Sequence, residues 1–422
     1  MARVVTLDEV KLEGKTVLLR TDINSPLHPE TKSFLDNTRI RMILPTLRKL
    51  SKSKVVIMTH QSRPGKSDFT GTLGHARELG RLIGKKVNWV NDIHGEKALA
   101  AIESLEIGEM LMLNNVRMDE EEISMNKASY EKLSESNIVS TLSGVVDVFV
   151  NDAFACAHRS TPSTTGFTNV IPCVAGELMS KEIRALQRVS ENPERPCIAV
   201  LGGIKVDDSI KVADNMLRGG ISDQIWVIGG VANLFLICSG IDIGRPSTEF
   251  LRNELGDSWD DVVEMANILL ADHGEQIIMP DDLAANIGGN RVDTAIGELP
   301  IEAPLLDLGV MSTLKLSKAI KEAGTVILNG PAGVFEMEDF AFGTVEMLNA
   351  CSESKAYTIM GGGHTATLVS QMGIASKMGH VSTGGGACMS FLSGESLPVL
   401  AALANNALRF DVEIIMHGIE ES

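Results

Sequence analysis

The chain has 422 residues, of which 44% are apolar, and its formal net charge is -17. One hydrophobic core seldom organises a chain of this length, so we expect two domains. The acidic balance argues against general nucleic-acid binding, which needs a basic surface, and it means that any anionic ligand must be held by local cations.

The six cysteines are scattered, with no C-x-x-C pair and no cysteine–histidine cluster at zinc spacing. This usage fits a reduced, cytoplasmic compartment. The first residues become charged too early for a signal peptide, and no apolar run approaches the roughly 18 residues of a membrane span. The sequence therefore predicts a soluble cytoplasmic protein with no membrane partner.

From Lys15 onward, short apolar runs alternate with longer amphipathic segments, which predicts βαβ units and an α/β fold with parallel sheets. The strands predicted in the first half are residues 16–19, 55–58, 110–113 and 145–150. Because the carboxyl ends of parallel strands meet at one edge of a sheet, the polar residues that follow these strands should line one crevice.

The residues after those strands are rich in cations. They are Arg20, Asp22 and Asn24, then His60 and Arg63, then Asn115 and Arg117, then Asn151, Asp152, His158 and Arg159, with Arg39 nearby. A single arginine is more often a solvated surface residue, but repetition at four strand ends favours a shared anion site. Guanidinium groups bind phosphate or carboxylate bidentately, and Asp and Asn can orient hydroxyl groups.

A helical pattern covers residues 175 to about 190, and the Pro-containing segment 192–196 then stops it. We expect an N-terminal domain at residues 1–174, an interdomain helix at 175–191 and a C-terminal domain at 192–399. The strands predicted in that second domain are residues 197–201, 224–228, 276–279, 326–328, 357–360 and 380–382.

The second set of strands ends in glycines rather than arginines. These ends are Gly202-Gly203, Gly229-Gly230, Asn329-Gly330-Pro331-Ala332-Gly333, Gly361-Gly362-Gly363-His364-Thr365 and Gly384-Gly385-Gly386. Glycines before a helix let backbone N–H groups approach a phosphate, and although one such turn is weak evidence, five point to one nucleotide site. Lys205 is the well-placed cation there, or else an amphipathic lysine packed on the core. Neither a P-loop nor a G-x-G-x-x-G fingerprint occurs.

A half suited to a small anion and a half suited to nucleotide phosphates together predict phosphoryl transfer. This chemistry depends on in-line positioning and on positive charge around the moving group, which Arg39, Lys205 and the loop amides can supply. Hinge closure over a cleft between the domains would bring the ligands together and exclude water.

The motifs resemble those of the phosphoglycerate kinase family along nearly the whole chain. The matching segments are Arg20-Thr21-Asp22-Ile23-Asn24-Ser25-Pro26-Leu27, Thr59-His60-Gln61-Ser62-Arg63-Pro64-Gly65, Val150-Asn151-Asp152-Ala153-Phe154, Ala157-His158-Arg159, Leu201-Gly202-Gly203-Ile204-Lys205-Val206, Asn329-Gly330-Pro331-Ala332-Gly333-Val334-Phe335-Glu336 and Ser382-Thr383-Gly384-Gly385-Gly386-Ala387. The resemblance implies two Rossmann-like domains and reversible transfer of the acyl phosphate of 1,3-bisphosphoglycerate to ADP, a step of glycolysis and gluconeogenesis with Mg²⁺ on the nucleotide.

The resemblance also implies roles for single residues. Asp22 and Asn24 would orient the glycerate hydroxyl, and His60, Arg63, Arg117 and Arg159 would hold its phosphate. Gln61 and Ser62 would also bind the substrate, and Arg39 would lie at its carboxyl end. Lys205 would stabilise the phosphoryl group in flight. The nucleotide would meet Gly202, Gly203, Gly229, Asn329, Pro331, Gly333, Glu336 and the segment Gly362, Gly363, His364 and Thr365. The segment from about residue 400 to 422 would pack on the first domain, and the family is commonly monomeric, although archaeal members can dimerise.

Three departures from the bacterial and eukaryotic pattern resemble the archaeal branch. His364 replaces an aspartate that contacts the metal, Ser209 replaces a second lysine, with Lys211 two positions later, and Ser160-Thr161-Pro162-Ser163 follow Arg159. Because a neutral imidazole is a poor ligand for Mg²⁺, we expect nucleotide oxygens and water to hold the metal, with or without another acid. Two alternatives are a non-catalytic nucleotide-binding descendant and a kinase of another phosphorylated carboxylate.

Overall fold

The structure, a computed structural model, describes residues 3–410, without the side chains of residues 363 and 364. It divides into two compact units, of which the first runs to Arg184 and includes the segment from Ser396 onward. The second unit runs from Ala185 to Glu395. Within the described range, no helix is both long enough and apolar enough to cross a membrane.

The first unit is built on one six-stranded parallel sheet, in the order β3-β4-β2-β1-β5-β6. Its strands are Thr16–Thr21 (β1), Lys54–Met58 (β2), Asn88–Trp89 (β3), Met110–Met112 (β4), Val148–Asp152 (β5) and Cys173–Ala175 (β6). In the centre, Leu19 pairs with Ile57 on one side and with Val150 on the other. All three side chains are buried, which is why these strands read as continuous apolar runs.

Helices pack around this sheet. They are Thr38–Met42 (α1), Leu44–Lys49 (α2), Leu73–Ile83 (α3), Glu96–Glu103 (α4), Glu120–Ser124 (α5), Tyr130–Ser134 (α6), Asn137–Leu142 (α7), Pro162–Thr165 (α8) and Glu177–Glu191 (α9). Helix α3 buries Ala76 and Leu79, which lie one turn apart, and it ends where Gly84 adopts a φ of 67°. The division between the two units falls inside α9, between Arg184 and Ala185.

The second unit has its own six-stranded parallel sheet, in the order β15-β14-β13-β7-β8-β9. Its strands are Cys197–Leu201 (β7), Gln224–Val227 (β8), Ile277–Ile278 (β9), Thr325–Asn329 (β13), Tyr357–Gly361 (β14) and His380–Val381 (β15). Its helices are Val206–Arg218 (α10), Gly229–Cys238 (α11), Arg245–Leu255 (α12), Trp259–His273 (α13), Val310–Glu322 (α14), Phe342–Glu353 (α15), Gly363–Gln371 (α16) and Gly385–Leu392 (α17).

One further helix, Pro398–Arg409 (α18), packs on the first unit. Asn406 fixes it there, because its side-chain oxygen accepts a hydrogen bond from the Cys173 N–H (2.8 Å) and its amide donates to the carbonyl oxygens of Thr168 (2.7 Å) and Ile171 (2.9 Å). Residues 411–422 of the tail that we expect to pack on this domain lie outside the described residues.

The predicted parallel α/β architecture is confirmed, but an additional antiparallel sheet of three strands was not predicted. It consists of Asp282–Ile287 (β10), Asn290–Ala295 (β11) and Leu305–Leu308 (β12) in the order β11-β10-β12. The two-residue turn Gly288-Gly289 between β10 and β11 is the hairpin signal that could have revealed it. The strand predicted at 145–150 begins and ends later, because it keeps pairing with β1 through Asn151 and Asp152.

Candidate active site

The strand ends of the first unit surround a cavity of about 810 Å³. Five cationic side chains line it, together with one carboxylate, that of Glu122. The cations are those of Arg20, Arg63, Arg117, Lys127 and Arg159. Such a concentration of positive charge within an acidic chain suits a small polyanion.

Asp22 lies just beyond β1 and is buried. Its Oδ2 lies 3.0 Å from Nη1 of Arg39, and its Oδ1 accepts a hydrogen bond from the Asn24 N–H at 3.1 Å. Burial by itself raises the pKa of the Asp22 carboxyl, but His60, Arg39 and Arg20 outweigh burial, and the net pKa lies well below its usual range. Asp22 is therefore an ionised acceptor at neutral pH.

His60 follows β2 and is also buried. Burial holds its pKa well below the usual value, and the charges of Arg20, Arg117 and Arg159 act in the same direction, although Asp22 opposes them. At neutral pH the imidazole is therefore uncharged, and it can donate one hydrogen bond and accept one.

Hydrogen bonds to other residues of the first unit fix the conformation of the loop that follows His60. The Gln61 amide donates to Ser25 O at 3.0 Å, and its oxygen accepts from Ser25 N at 3.2 Å and meets His75 Nε2 at 3.0 Å. Ser62 adopts a φ of 57°, which is uncommon for a residue other than glycine, and Arg117 donates to its carbonyl oxygen. The Gln61 side chain is thus engaged in shaping the loop.

Arg63 and Arg159 are exposed at the cavity, and Arg117 is half-buried. The side-chain Oδ1 of Asn24, which also lines the cavity, accepts a hydrogen bond from the Ser62 N–H at 2.9 Å. Of the substrate-binding candidates of the first half, Asn24, Ser62, Arg63, Arg117 and Arg159 line this cavity. Asp22, Arg39, His60 and Gln61 are not among its lining residues; His60 contacts the lining residue Arg20, and Arg39 pairs with Asp22. The sequence assigned no role to Lys127, Glu122 or Ser163, because none of them directly follows a predicted strand; Ser163 was noted only within the segment that departs from the family pattern after Arg159.

In the second unit, the glycine loops pack directly on one another. Gly202 N donates to Asn329 O at 2.7 Å and Gly203 N to Pro331 O at 2.9 Å. A Cβ on Gly202 would lie 2.6 Å from Pro331 O, and one on Gly330, whose φ is 82°, would lie 2.3 Å from Gly202 O. The loops after β7 and β13 therefore need glycine for their own close approach, in addition to any ligand.

Lys205 is exposed at the N-cap of α10, directly after the Gly202-Gly203 turn. Four residues later, Ser209 is fully buried, and its Oγ lies 3.3 Å from the side-chain nitrogen of Asn329. The residue that takes the place of the second lysine therefore supports the Asn329 loop and carries no charge to a ligand.

Thr365 and Gly362 mark the turn after β14. Gly362 adopts a φ of 91°. The Thr365 side chain is buried, and its hydroxyl has no hydrogen-bond partner among the residues that the structure describes. A buried hydroxyl without a partner is costly, which suits a site that a ligand completes. Glu336 is exposed, and the side chains of Gly363 and His364 lie outside the described residues.

An arginine-lined anion cavity in one parallel-sheet unit and glycine loops in another are typical of a phosphotransferase with a small anionic substrate and a nucleotide. Residues 7–395 match the family model for phosphoglycerate kinase. The chain belongs to the phosphoglycerate kinase family.

Relatives match almost end to end. The phosphoglycerate kinase of Methanobacterium bryantii is 44% identical over 400 residues, which are 94% of this chain and 96% of the relative. That of Methanothermus fervidus is 42% identical over 414 residues, 97% of this chain and 99% of the relative. Both named relatives support the predicted likeness to the archaeal branch.

Solved structures agree with the fold. The crystal structure of phosphoglycerate kinase from Pyrococcus horikoshii OT3 matches with a TM-score of 0.87 and 39% identity, over 96% of this chain and 100% of that one. The structure from Coxiella burnetii gives a TM-score of 0.80 at 29% identity, with the same coverage. The chain is thus a phosphotransferase that reversibly transfers the acyl phosphate of 1,3-bisphosphoglycerate to ADP, giving 3-phosphoglycerate and ATP.

Proposed function

We propose that the cavity of the first unit is the 3-phosphoglycerate site. The observation that supports this is its lining by five cations against a single carboxylate. A phosphate dianion and a carboxylate need this surplus of charge-assisted donors. Arg63, Arg117 and Arg159 hold the phosphate, together with His60 and Ser62, and Asn24 and Asp22 orient the hydroxyl.

Gln61 acts in this site through the loop. Its side chain fixes the segment that presents Ser62 and Arg63, because both ends of its amide are engaged by Ser25 and His75. Asp22 in turn holds Arg39 at 3.0 Å, with 36% of the Arg39 side chain exposed. A guanidinium that is fixed at one end and accessible at the other suits the carboxyl end of the substrate, where the phosphoryl group is exchanged.

The nucleotide phosphates bind to the glycine loops of the second unit. Gly202, Gly203, Gly229, Asn329, Pro331 and Gly333 form the interlocked floor, Gly362, Gly363, His364 and Thr365 add the turn after β14, and Glu336 meets the ribose. The Thr365 hydroxyl, which is buried and has no hydrogen-bond partner among the described residues, supports this assignment. Lys205 lies at the N-cap of α10, just after the Gly202-Gly203 turn, and stabilises the charge of the phosphoryl group during transfer. Domain closure would bring the two ligands together.

Magnesium comes with the nucleotide and neutralises part of its phosphate charge. Among the residues whose side chains the structure describes, the one group of acids, histidines and cysteines close enough to hold an ion is Asp22, His60 and Cys156, in the first unit. That group faces several arginines, so it does not suit a metal. We propose that nucleotide oxygens and water hold Mg²⁺, with or without one further acid, and we expect His364→Asp to leave some activity intact.

The substrates are metabolites of glycolysis and gluconeogenesis, and none of the six cysteines, all of which lie in the described part of the chain, forms a disulfide. Both features support a cytoplasmic location. We further propose that the enzyme works as a monomer, with a homodimer as the alternative, which light scattering at assay concentrations would distinguish.

A coupled assay with 3-phosphoglycerate and MgATP tests the activity, and equilibrium binding tests the site. We expect turnover with 3-phosphoglycerate and little with 2-phosphoglycerate, in which the phosphate and hydroxyl groups are exchanged. Binding of 3-phosphoglycerate in the absence of nucleotide should weaken in Arg63→Ala and stay the same in Arg77→Ala, an exposed arginine of the same unit outside the cavity. Equal binding by both variants would contradict the site.

A further inference from the structure

Glu122 is a buried carboxylate in the wall of a cavity that otherwise collects positive charge. It accepts three hydrogen bonds from one short segment: from Thr161 Oγ1 at 2.8 Å, from Ser163 Oγ at 2.7 Å and from the Ser163 N–H at 2.9 Å. Burial raises the pKa of Glu122, and Arg20 and these hydrogen bonds oppose the rise. Burying a carboxylate costs free energy unless hydrogen bonds and nearby cations offset the cost. A buried carboxylate at the wall of an anion cavity is therefore a candidate for a functional role.

Ser163 passes the orientation of Glu122 on to Arg20. A guanidinium can only donate, so the Ser163 oxygen accepts a hydrogen bond from Nε of Arg20, which lies 2.9 Å from it. The Ser163 hydroxyl then donates its single hydrogen to Glu122 at 2.7 Å. The direction of each hydrogen bond in the row Glu122–Ser163–Arg20 is therefore fixed by chemistry.

Arg20 in turn determines which nitrogen of His60 carries the proton. Nη2 of Arg20 lies 3.4 Å from Nδ1 of His60, and a guanidinium can only donate, so Nδ1 must be the unprotonated acceptor. Because burial and the surrounding cations keep the imidazole neutral, its one proton is on Nε2. Within the described part of the chain, Nε2 has no hydrogen-bond partner.

We propose that Glu122 and Ser163 are positioning residues: through Arg20 they hold His60 in the tautomer whose Nε2–H donates to the bound phosphoglycerate. The proposal rests on the proposed role of the cavity as the 3-phosphoglycerate site. In this arrangement Glu122 and Ser163 act through Arg20. Their hydrogen bonds hold the guanidinium, which can only donate, at the position where its Nη2 meets Nδ1 of His60.

Two substitutions break the row at different points. Ser163→Ala removes the acceptor of Arg20 Nε. Glu122→Gln keeps the shape, but its amide can donate to Ser163 and so turn the Ser163 hydroxyl toward Arg20, where two donors would face each other. Ser180→Ala is the control for the first, because Ser180 is buried in the same unit and its hydroxyl has no partner among the described residues.

Two measurements on the 422-residue chain test the proposed positioning role of Glu122 and Ser163. The ¹⁵N chemical shifts of the histidine side chains report the tautomer, and a His60→Gln spectrum identifies the His60 signal among the nine histidines. We expect the Nε2–H form in the unsubstituted protein and a mixture of tautomers in Ser163→Ala and Glu122→Gln. In both variants the KM for 3-phosphoglycerate should rise about tenfold, the size expected when a hydrogen bond to a charged group is lost, and the KM for MgATP should stay within about twofold.

An unchanged tautomer in these variants, or a KM for 3-phosphoglycerate that moves no more than in Ser180→Ala, would overturn the proposal. If either Ser163→Ala or Glu122→Gln does not fold, the other variant tests the proposal by the same two measurements. Arg63→Ala, measured in parallel, distinguishes a failure of the proposed 3-phosphoglycerate site from a failure of the proposed positioning role of Glu122 and Ser163. If it leaves the KM for 3-phosphoglycerate unchanged, the proposed substrate site is wrong, whereas the tautomer still tests the hydrogen-bonded row by itself.

Discussion

Nη1 of Arg39 lies 3.0 Å from Oδ2 of Asp22, so the carboxylate that we assign to the substrate hydroxyl also anchors the guanidinium that we assign to the reacting end. Under these assignments, Asp22 would orient both the substrate and the guanidinium that stabilises the moving charge. Asp22→Asn should raise the KM for 3-phosphoglycerate and lower kcat, each by about tenfold, because a charge-assisted acceptor and an anchor are lost together.

The control for Asp22→Asn is Glu30→Gln, which removes a carboxylate from an exposed position of the loop that follows Asp22. Steady-state kinetics should leave this control within about twofold of the unsubstituted enzyme. A change in KM alone, with kcat intact, would show that Arg39 does not depend on Asp22.

Arg63 is exposed at the cavity and has no ion-pair partner among the described residues, so its charge is available to a ligand. Arg63→Ala should raise the KM for 3-phosphoglycerate by about ten- to a hundredfold and should change the KM for MgATP little, since we assign the nucleotide to the glycine loops of the second unit. Adding salt should weaken substrate binding less in the variant than in the unsubstituted enzyme. An unchanged KM would remove Arg63 from the site.

Lys205 should act on the rate more than on nucleotide binding. An interaction made mainly in the transition state lowers kcat selectively, so Lys205→Ala should reduce kcat by at least about a hundredfold with a small change in nucleotide Kd. Lys211→Ala, an exposed lysine of the same helix, is the control. Kinetics combined with nucleotide binding by calorimetry separate the two quantities, and equal losses in both would contradict the role.

The sequence was sufficient to predict the parallel sheets and the cationic strand ends, because buried parallel strands are continuous apolar runs and the residue after each strand must lie at one edge. It was not sufficient for Glu122 and Ser163. They lie on short helices away from the predicted strands, and what matters about them is hydrogen-bond direction, which has no period in sequence. The close contact of Gly202 with the Pro331 carbonyl could not be predicted either. The sequence of a glycine-rich turn is the same whether the turn faces a phosphate or packs on another loop.

Gly202→Ala should damage the glycine loops that we assign to the nucleotide. The added Cβ would lie 2.5 Å from the Ile228 side chain and 2.6 Å from Pro331 O, and backbone cannot give way as a flexible side chain can. We expect a loss of about 1–3 kcal/mol in the stability of the second unit and weaker nucleotide binding. Gly274→Ala is the control, because its φ is -54° and a Cβ there meets nothing within 4 Å. Thermal unfolding with and without nucleotide makes the comparison, and matching melting curves would refute the steric argument.

The Asp152 carboxyl group, which accepts a hydrogen bond in the first turn of helix α9, should make the stability of the fold depend on pH. It is buried, its Oδ2 accepts from Thr46 Oγ1 at 2.6 Å, and its Oδ1 accepts from the Met179 N–H at 3.0 Å. Burial raises its pKa to about 6, and Glu177 adds to the rise, although hydrogen bonds from Thr46, Met179 and Leu178 oppose it. Because the pKa is higher in the folded protein, this group contributes stability that is fully present below the unfolded pKa of about 3.9 and is lost as the pH rises through about 6.

Asp152→Asn mimics the protonated acid and should abolish this dependence. Between pH 5 and 8 the variant should gain about 1.4 kcal/mol relative to the unsubstituted protein, which corresponds to a few degrees in Tm. Asp147→Asn is the control, since Asp147 is an exposed carboxylate just before the same strand. Calorimetric scans across this pH range measure the difference. Parallel stability curves for Asp152→Asn and the unsubstituted protein would mean that the carboxyl group has the same pKa folded and unfolded, and that the cap of α9 does not respond to pH.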